Sequence, residues 1–366
     1  MKSTSLKSTL RIFVSIIVAF LLSNERRIYI SVWAILQWLP IKFDYNDSIL
    51  FDKIHEVDDS ERPTSLSIPT IDVQKHRDDL ETHLEEKYGK DWRRRPLLLK
   101  GIWTEEELRQ KSDGSSRMLS LENLLKLDFQ IPYFKDARVK TITPDAHGTV
   151  GDIVRNITMG KPHKIGSQLI LEKYPEWIRE VAPLDITNNL FGNFFSPDKI
   201  QGSGPWKLFP ALTTVPVFIA SHGEKNEAQT NEESSKSRPF TTLHCEPIGN
   251  IAVQLSGKKK WTLVQPEHSF QIKPVISPDG RAFFASLATE QDYSRVPIYD
   301  IITNVGDAIW VPTWTWHRVD YIESEDLSIA ASLFHFRFAD FVRNNALFSV
   351  LMIPAMLKEL IGVNTQ

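Results

Sequence analysis

His244 and Glu246 stand two residues apart in the stretch TTLHCEPIGN. On a strand, side chains two apart project from the same face, so an imidazole and a carboxylate would meet at one point. Those two groups are two-thirds of a two-histidine, one-carboxylate set. Such a set suits Fe(II) because it leaves coordination positions open for substrate and oxygen. Cys245, between them, points to the other face and is not a candidate ligand. Taken alone, a His-x-Glu pair is more often two surface residues of an ordinary strand. A third ligand must come from elsewhere, and GDAIWVPTWTWHRV supplies a candidate in His317. There Gly306 and Asp307 turn the chain into an apolar strand, and Trp314 and Trp316 are expected to line the approach to His317. A histidine among tryptophans reads by itself as a core residue; joined with His-x-Glu on another short strand, it reads as part of a metal centre. After the turn at Gly257, alternation sends Lys259 and Trp261 to one face and Lys258 and Lys260 to the other. One ammonium inside and two in water is a tolerable arrangement, whereas three inside is not. A wholly solvated basic turn is the alternative.

The elements that must position these residues are short strands. TTLHCE, NIAVQL, KKWTLVQP, AIWVPTWTWHRV and LSIAASLFHFRF are separated by turn residues, without the spacing of strand–helix–strand units. The pattern predicts a mainly β protein with flanking helices, built on an antiparallel barrel or jelly roll. Upstream, a helix is expected near Val73–Tyr88, then a buried strand over Pro96–Lys100 ended by Gly101. Thr104 and Ser120 are expected helix N-caps, each with acidic residues in the following turn. Residues 130–210 mix short strands, turns and helices, and Pro175 interrupts LEKYPEWIREV. Residues 223–238 carry almost no apolar side chain and read as a mobile insert. The segment Phe338–Ile361 reads as a helix broken at Pro354. It is too apolar to face water, so it should pack on the barrel, a second subunit or a membrane; a homodimer through this C-terminal helix is the favoured reading.

The whole chain bounds these expectations. Its 366 residues suffice for one large domain with appendages. The net charge of −3 provides no basic field for nucleic acid, so no DNA partner is expected. With a single cysteine, intramolecular disulfides and cysteine-rich zinc sites are excluded, and any metal must rest on His, Asp or Glu. Residues 1–43 hold a basic start and two apolar runs, Ile12–Leu22 and Ile28–Ile41, around Glu25, Arg26 and Arg27. Each run is shorter than the roughly 20 apolar residues of a membrane span. The segment reads as a membrane anchor or a signal-like leader, which would place the protein at an endomembrane; an apolar helix packed on the domain is the alternative. The basic flank favours a lumenal body, and the sequons at Asn46 and Asn156 permit it. Residues 44–64 are expected to form an acidic linker, 65–336 the main domain and 337–366 a helical tail.

With these motifs in hand, the chain resembles the JmjC (cupin-like) Fe(II)- and 2-oxoglutarate-dependent oxygenases, and is most similar to their hydroxylase-type branch. That branch carries His-x-Asp/Glu on a strand, then a Gly-Lys turn, then a Gly-Asp strand leading to Trp-x-His. The match here is LHCEPIGNIAVQLSGKKKWTLVQP and GDAIWVPTWTWHRV, extending back to RRRPLLLKGIW and covering residues 65 to 336. The resemblance implies a double-stranded β-helix (jelly-roll) core, with Fe(II), 2-oxoglutarate and O2 as cofactor and cosubstrates. It implies His244, Glu246 and His317 as iron ligands. Lys259 and Thr241 match the residues that hold the far carboxylate of 2-oxoglutarate, and Asn250 matches an asparagine lining that pocket. Ser332 falls where some members have Asn, a partial match. Two departures stand out: Glu where this branch commonly has Asp, and the polar insert just before the metal strand. The implied reaction is hydroxylation of a C–H bond, with a protein side chain as the expected substrate and small molecules or RNA left open. The rivals are JmjC-type lysine demethylation and a non-catalytic, membrane-tethered cupin binding module.

Overall fold

The computed structural model describes residues 65–109, 117–136, 144–191, 215–221, 240–277, 282–288, 296–322 and 327–360. The expected membrane segment, the acidic linker and the insert 223–238 lie outside those residues. Among the described residues no helix is long and apolar enough to cross a membrane.

Two seven-stranded sheets face each other. In spatial order the first holds β1 (Ser65–Leu66), β13 (Ile298–Thr303), β10 (Lys259–Val264), β15 (Trp316–Tyr321), β8 (Phe240–Cys245), β12 (Phe284–Ser286) and β11 (Pro274–Ile276). The second holds β2 (Thr70–Asp72), β3 (Leu97–Lys100), β14 (Ala308–Val311), β9 (Gly249–Ser256), β16 (Ser328–His335), β7 (Val217–Ala220) and β6 (Lys164–Ser167). A separate hairpin pairs β4 (Gln130–Tyr133) with β5 (Ala146–Thr149). Along the chain β8, β9 and β10 switch from first sheet to second and back, and β13 to β16 repeat the alternation. That winding is a double-stranded β-helix, so the expected fold class is the one observed.

Burial follows from the layering. The first six positions of β9 are all buried, because one face looks between the sheets and the other meets the helices. Ala252, Trp261, Leu263, Tyr299, Ile301, Ile309, Val311 and Val319, drawn from both sheets, fill one end of the space between them. The outer face of the second sheet packs on α1 (Leu80–Tyr88), α3 (Leu121–Leu124), α4 (Val150–Thr158), α5 (Leu169–Lys173), α6 (Ile178–Val181) and α7 (Leu184–Phe191). Short α2 (Glu105–Arg109) opens on a reciprocal cap: Glu107 N–H donates to Thr104 Oγ1 at 3.1 Å, and Thr104 N–H to Glu107 Oε2 at 2.8 Å. Ser120 likewise caps α3 by accepting from Asn123 N–H at 3.4 Å.

Two element boundaries differ from expectation. The helix expected from Val73 begins at Leu80. The Val73 N–H instead donates to Lys100 O at 2.9 Å, prolonging the pairing of β2 with β3, and two tight turns follow. The C-terminal segment breaks at Asn345, between α8 (Phe338–Asn344) and α9 (Ala346–Leu360), while Pro354 sits inside α9. Asn345 leaves helical geometry and its Oδ1 accepts Phe348 N–H at 3.1 Å, capping α9. One face of these helices, through Phe341, Leu347, Phe348, Leu351, Met352 and Ala355, packs on the outside of the first sheet.

Candidate metal and acid-binding site

The open end of the space between the sheets is a pocket of about 810 Å³, mouth included. All seven residues singled out from the sequence line it: Thr241, His244, Glu246, Asn250, Lys259, His317 and Ser332. The first sheet contributes Thr241 and His244 from β8, Lys259 and Trp261 from β10, and His317, Val319 and Tyr321 from β15. The second contributes Lys164, Phe218, Asn250, Ser332 and Phe334.

Register explains the convergence. His244 on β8 lies directly across from His317 on β15, and their ring centroids are 4.1 Å apart. On β15 the period of two carries His317, Val319 and Tyr321 to the same face. On β8, however, Thr241 and His244 are three apart, which on a regular strand would put them on opposite faces. The pairing shifts there: Val319 stands opposite Thr241 while His317 stands opposite His244. The extra residue on β8 is a β-bulge, and it turns Thr241 back into the pocket.

Both imidazoles are prepared in the same way. His244 Nδ1 lies 2.7 Å from Thr242 O, and His317 Nδ1 lies 3.1 Å from Thr315 O. A carbonyl can only accept, so Nδ1 carries the proton and Nε2 keeps its lone pair. Burial pushes His317 down to about 4. Burial, followed by the neighbouring His317, takes His244 well below the usual histidine range. Two buried neutral imidazoles, each with Nδ1 turned to a backbone carbonyl, are the donor type a divalent transition metal takes.

Glu246 is less advanced. It follows the last residue of β8, Cys245, and it lines the pocket. Its backbone carbonyl accepts Trp314 N–H at 3.0 Å, and Trp314 holds the left-handed conformation (φ 65°). This contact fastens the Glu246 turn to the start of β15. Yet among the described residues no three His, Cys, Asp or Glu side chains come together closely enough to hold a metal. The expected triad is therefore two facing histidines with a carboxylate on the same wall rather than a closed set. The donor types fit Fe(II); the Glu246 side chain would have to draw in.

The other end of the pocket is cationic. Lys259 is only 3% exposed, and its Nζ sits 4.9 Å from the Tyr321 ring centroid and 5.3 Å from that of Phe218. Burial, then the charge of Lys164, lowers it to about 7. The buried Lys164 donates from Nζ to Thr241 Oγ1 at 3.0 Å and is lowered by burial to about 8. Lys258 is exposed and Lys260 pairs with Asp300 at 3.4 Å, so the three lysines divide as alternation requires. Asn250 Oδ1 is buried and finds no hydrogen-bond partner among the described residues, as a wall built around a polar ligand leaves it.

Two further residues line the site, and the tryptophans lie elsewhere than expected. Lys164 in KPHKIGS and Tyr321 had no local signal, because nothing near them in sequence marks a strand edge facing Thr241 and Lys259. Trp314 and Trp316 do not line the approach to His317. Trp316 precedes His317 on the strand and so faces outward, where its Nε1 donates to Ser269 Oγ at 2.8 Å. Trp314 Nε1 donates to Phe341 O at 2.9 Å. Both indoles anchor the barrel to its C-terminal helices. Asp307 is structural too: its carboxylate accepts Gly101 N–H and Asn304 N–H, each at 3.0 Å, joining the Gly-Asp turn to the end of β3.

A double-stranded β-helix with paired histidines facing its interior is the architecture of a cupin. Residues 205–341 match the cupin-like domain family. A 135-residue stretch is 24% identical to JmjC domain-containing protein D of Dictyostelium discoideum, covering 33% of this chain and 30% of that relative. The chain thus spans under a third of the length of the curated relative it matches. Over that stretch the chain is similar to cupin-like domains of the JmjC kind. The family match begins after β2, β3 and β6, which the structure nonetheless builds into the second sheet.

Proposed function

We propose that this protein is an Fe(II)- and 2-oxoglutarate-dependent oxygenase that hydroxylates a C–H bond, with a protein side chain as substrate. The observation that carries the reading is one pocket holding two neutral, facing imidazoles and, apart from them, a buried lysine beside a threonine hydroxyl. JmjC cupins include 2-oxoglutarate oxygenases, which makes this chemistry the first to test. His244, His317 and Glu246 would hold the metal. Iron(II) bound there would supply the oxidation in which O2 and 2-oxoglutarate yield succinate, CO2 and a hydroxyl on the substrate carbon.

The chain's own residues bind, orient and exclude water. Lys259 would meet the far carboxylate of 2-oxoglutarate as a point charge, and the arriving anion would favour its ammonium form. The Thr241 hydroxyl would donate to the same carboxylate. Phe218, Phe334 and Trp261 surround that end with apolar surface, where a charge pair is stronger than in water. The choice of a protein side chain rests on the resemblance to the hydroxylase-type branch. Attachment to an endomembrane through residues 1–43, and a homodimer through α9, rest on sequence pattern.

The test is anaerobic loading of the full chain with Fe(II), calorimetry with 2-oxoglutarate, and mass spectrometry of protein extract for products heavier by one oxygen atom. His244→Ala and His317→Ala should each lose metal, measured by elemental analysis, while keeping the far-ultraviolet circular dichroism of the unmodified chain. Absence of 2-oxoglutarate binding, or turnover that survives His244→Ala, refutes the proposal. The unclosed Glu246 favours one second reading, a cupin that binds an acid without catalysis. That reading expects acid binding independent of metal and no succinate.

A further inference from the structure

Lys164 and Lys259 reach the pocket from opposite sheets, Lys164 on β6 and Lys259 on β10. Each is less than a tenth exposed. Among the described residues, neither has a carboxylate within ion-pair distance. The surroundings of their ammonium groups are aromatic faces, Phe134 at 5.2 Å for Lys164 and Tyr321 and Phe218 for Lys259, together with the Thr241 hydroxyl. A buried ammonium without an anion is unfavourable, and a second one in the same cavity adds repulsion. A fold in need only of packing would carry methionine or leucine at such a position. A cavity with two such lysines, walled by aromatic rings and open at one side, is suited to an anion.

Thr241 joins the two. Its Oγ1 accepts from Lys164 Nζ at 3.0 Å. A hydroxyl has one donor and two acceptor positions, so this bond leaves the Thr241 proton to be given to a third group in the pocket.

We infer that Lys164 is a second acid-binding residue of this pocket, which with Thr241 forms the opposite side of a two-cation cradle closing on the terminal carboxylate that Lys259 receives. This rests on the reading of the pocket as a 2-oxoglutarate site. Lys164 adds a charge and sets the direction of the Thr241 hydroxyl. The pocket therefore selects an oxo acid with a second, distal acid group over an oxo acid of equal length ending in methyl.

The experiment is calorimetric titration of the full chain, with and without Mn(II), using 2-oxoglutarate and 2-oxopentanoate, the analogue in which a methyl replaces the distal carboxylate. Lys164→Met should weaken 2-oxoglutarate by about 10- to 100-fold, the range of one charged hydrogen bond, and leave 2-oxopentanoate within about twofold. Thr241→Val should weaken 2-oxoglutarate, and added to Lys164→Met should lose less than the two changes separately. Where Lys164→Met unfolds, Lys164→Gln keeps a polar group without the charge and serves in its place. Equal weakening of both acids assigns Lys164 to packing and overturns the inference. Loss of 2-oxoglutarate in Lys259→Met but full retention in Lys164→Met overturns it while leaving the proposed function standing. No 2-oxoglutarate binding by the unmodified chain overturns both.

Discussion

Replacing Lys259 by methionine should make the ligand-free protein more stable while abolishing the proposed binding of an acid. The folded chain holds Lys259 at about 7, against 10.5 for a free lysine, with burial as the main cause and the Lys164 charge second. Between those two values the unfolded chain binds a proton that the folded chain releases, so stability rises with pH across this window. Above 10.5 both states are neutral and the penalty is absent; below about 7 it is fully developed. At 1.36 kcal/mol per pH unit the gap corresponds to about 5 kcal/mol, and relaxation and entering water reduce the expected effect to roughly 2–4 kcal/mol. Methionine retains an unbranched stem in the same space without the charge. Urea denaturation of both proteins, free of ligand and metal, should show Lys259→Met ahead by that amount at pH 7, with the difference closing toward pH 10. Taking the difference between the two proteins cancels the other titrating groups. With Mn(II) then added, 2-oxoglutarate should stabilise the unmodified chain and leave Lys259→Met unchanged. A methionine variant less stable at pH 7, or a difference that does not shrink as pH rises, would refute the account of Lys259 as a desolvated cation held for a ligand.

Two further outcomes test the scaffold. A Cβ on Gly249 would lie 2.2 Å from Cη2 of Trp310, whose ring is fully packed and whose Nε1 donates to Arg93 O at 2.8 Å. Gly249→Ala should therefore cost at least about 1–3 kcal/mol, the usual effect of overpacking, seen as a lower urea midpoint; an unchanged midpoint would show that Trp310 moves freely. Asp307→Ala leaves the Gly101 and Asn304 N–H groups without their acceptor, and should lose about 2–4 kcal/mol from stranded donors. Asp307→Asn, which keeps one acceptor oxygen, should recover part of that loss in thermal melts.

The β-rich class and the division of the lysines were legible because both follow from local alternation. Lys259 and Trp261 share a face by a period of two, whatever lies across the barrel. The capped starts of α2 and α3 were legible for the same reason, since Thr104 and Ser120 act within one turn. The start of α1 was not, because Val73 is claimed by a backbone bond to Lys100, a partner 27 positions away. Nor was the role of the tryptophans: their indoles are fixed by Ser269 and Phe341, which no local pattern places beside them.

The sequence alone therefore determined which side chains share a strand face and which donor types are present: two histidines, a glutamate, a threonine and one inward lysine. Its resemblance to the JmjC cupins named their grouping. Only the tertiary structure decided the distances that chemistry needs. Strand pairing set His244 opposite His317. A bulge turned Thr241 into the same pocket, although its spacing from His244 argues against it. The end of β8 left Glu246 on the wall without closing a ligand set. Packing of the second sheet brought Lys164 to Thr241 across 77 positions of sequence. Register and sheet packing are properties of the whole two-sheet fold, because each is fixed by partners far apart in the chain.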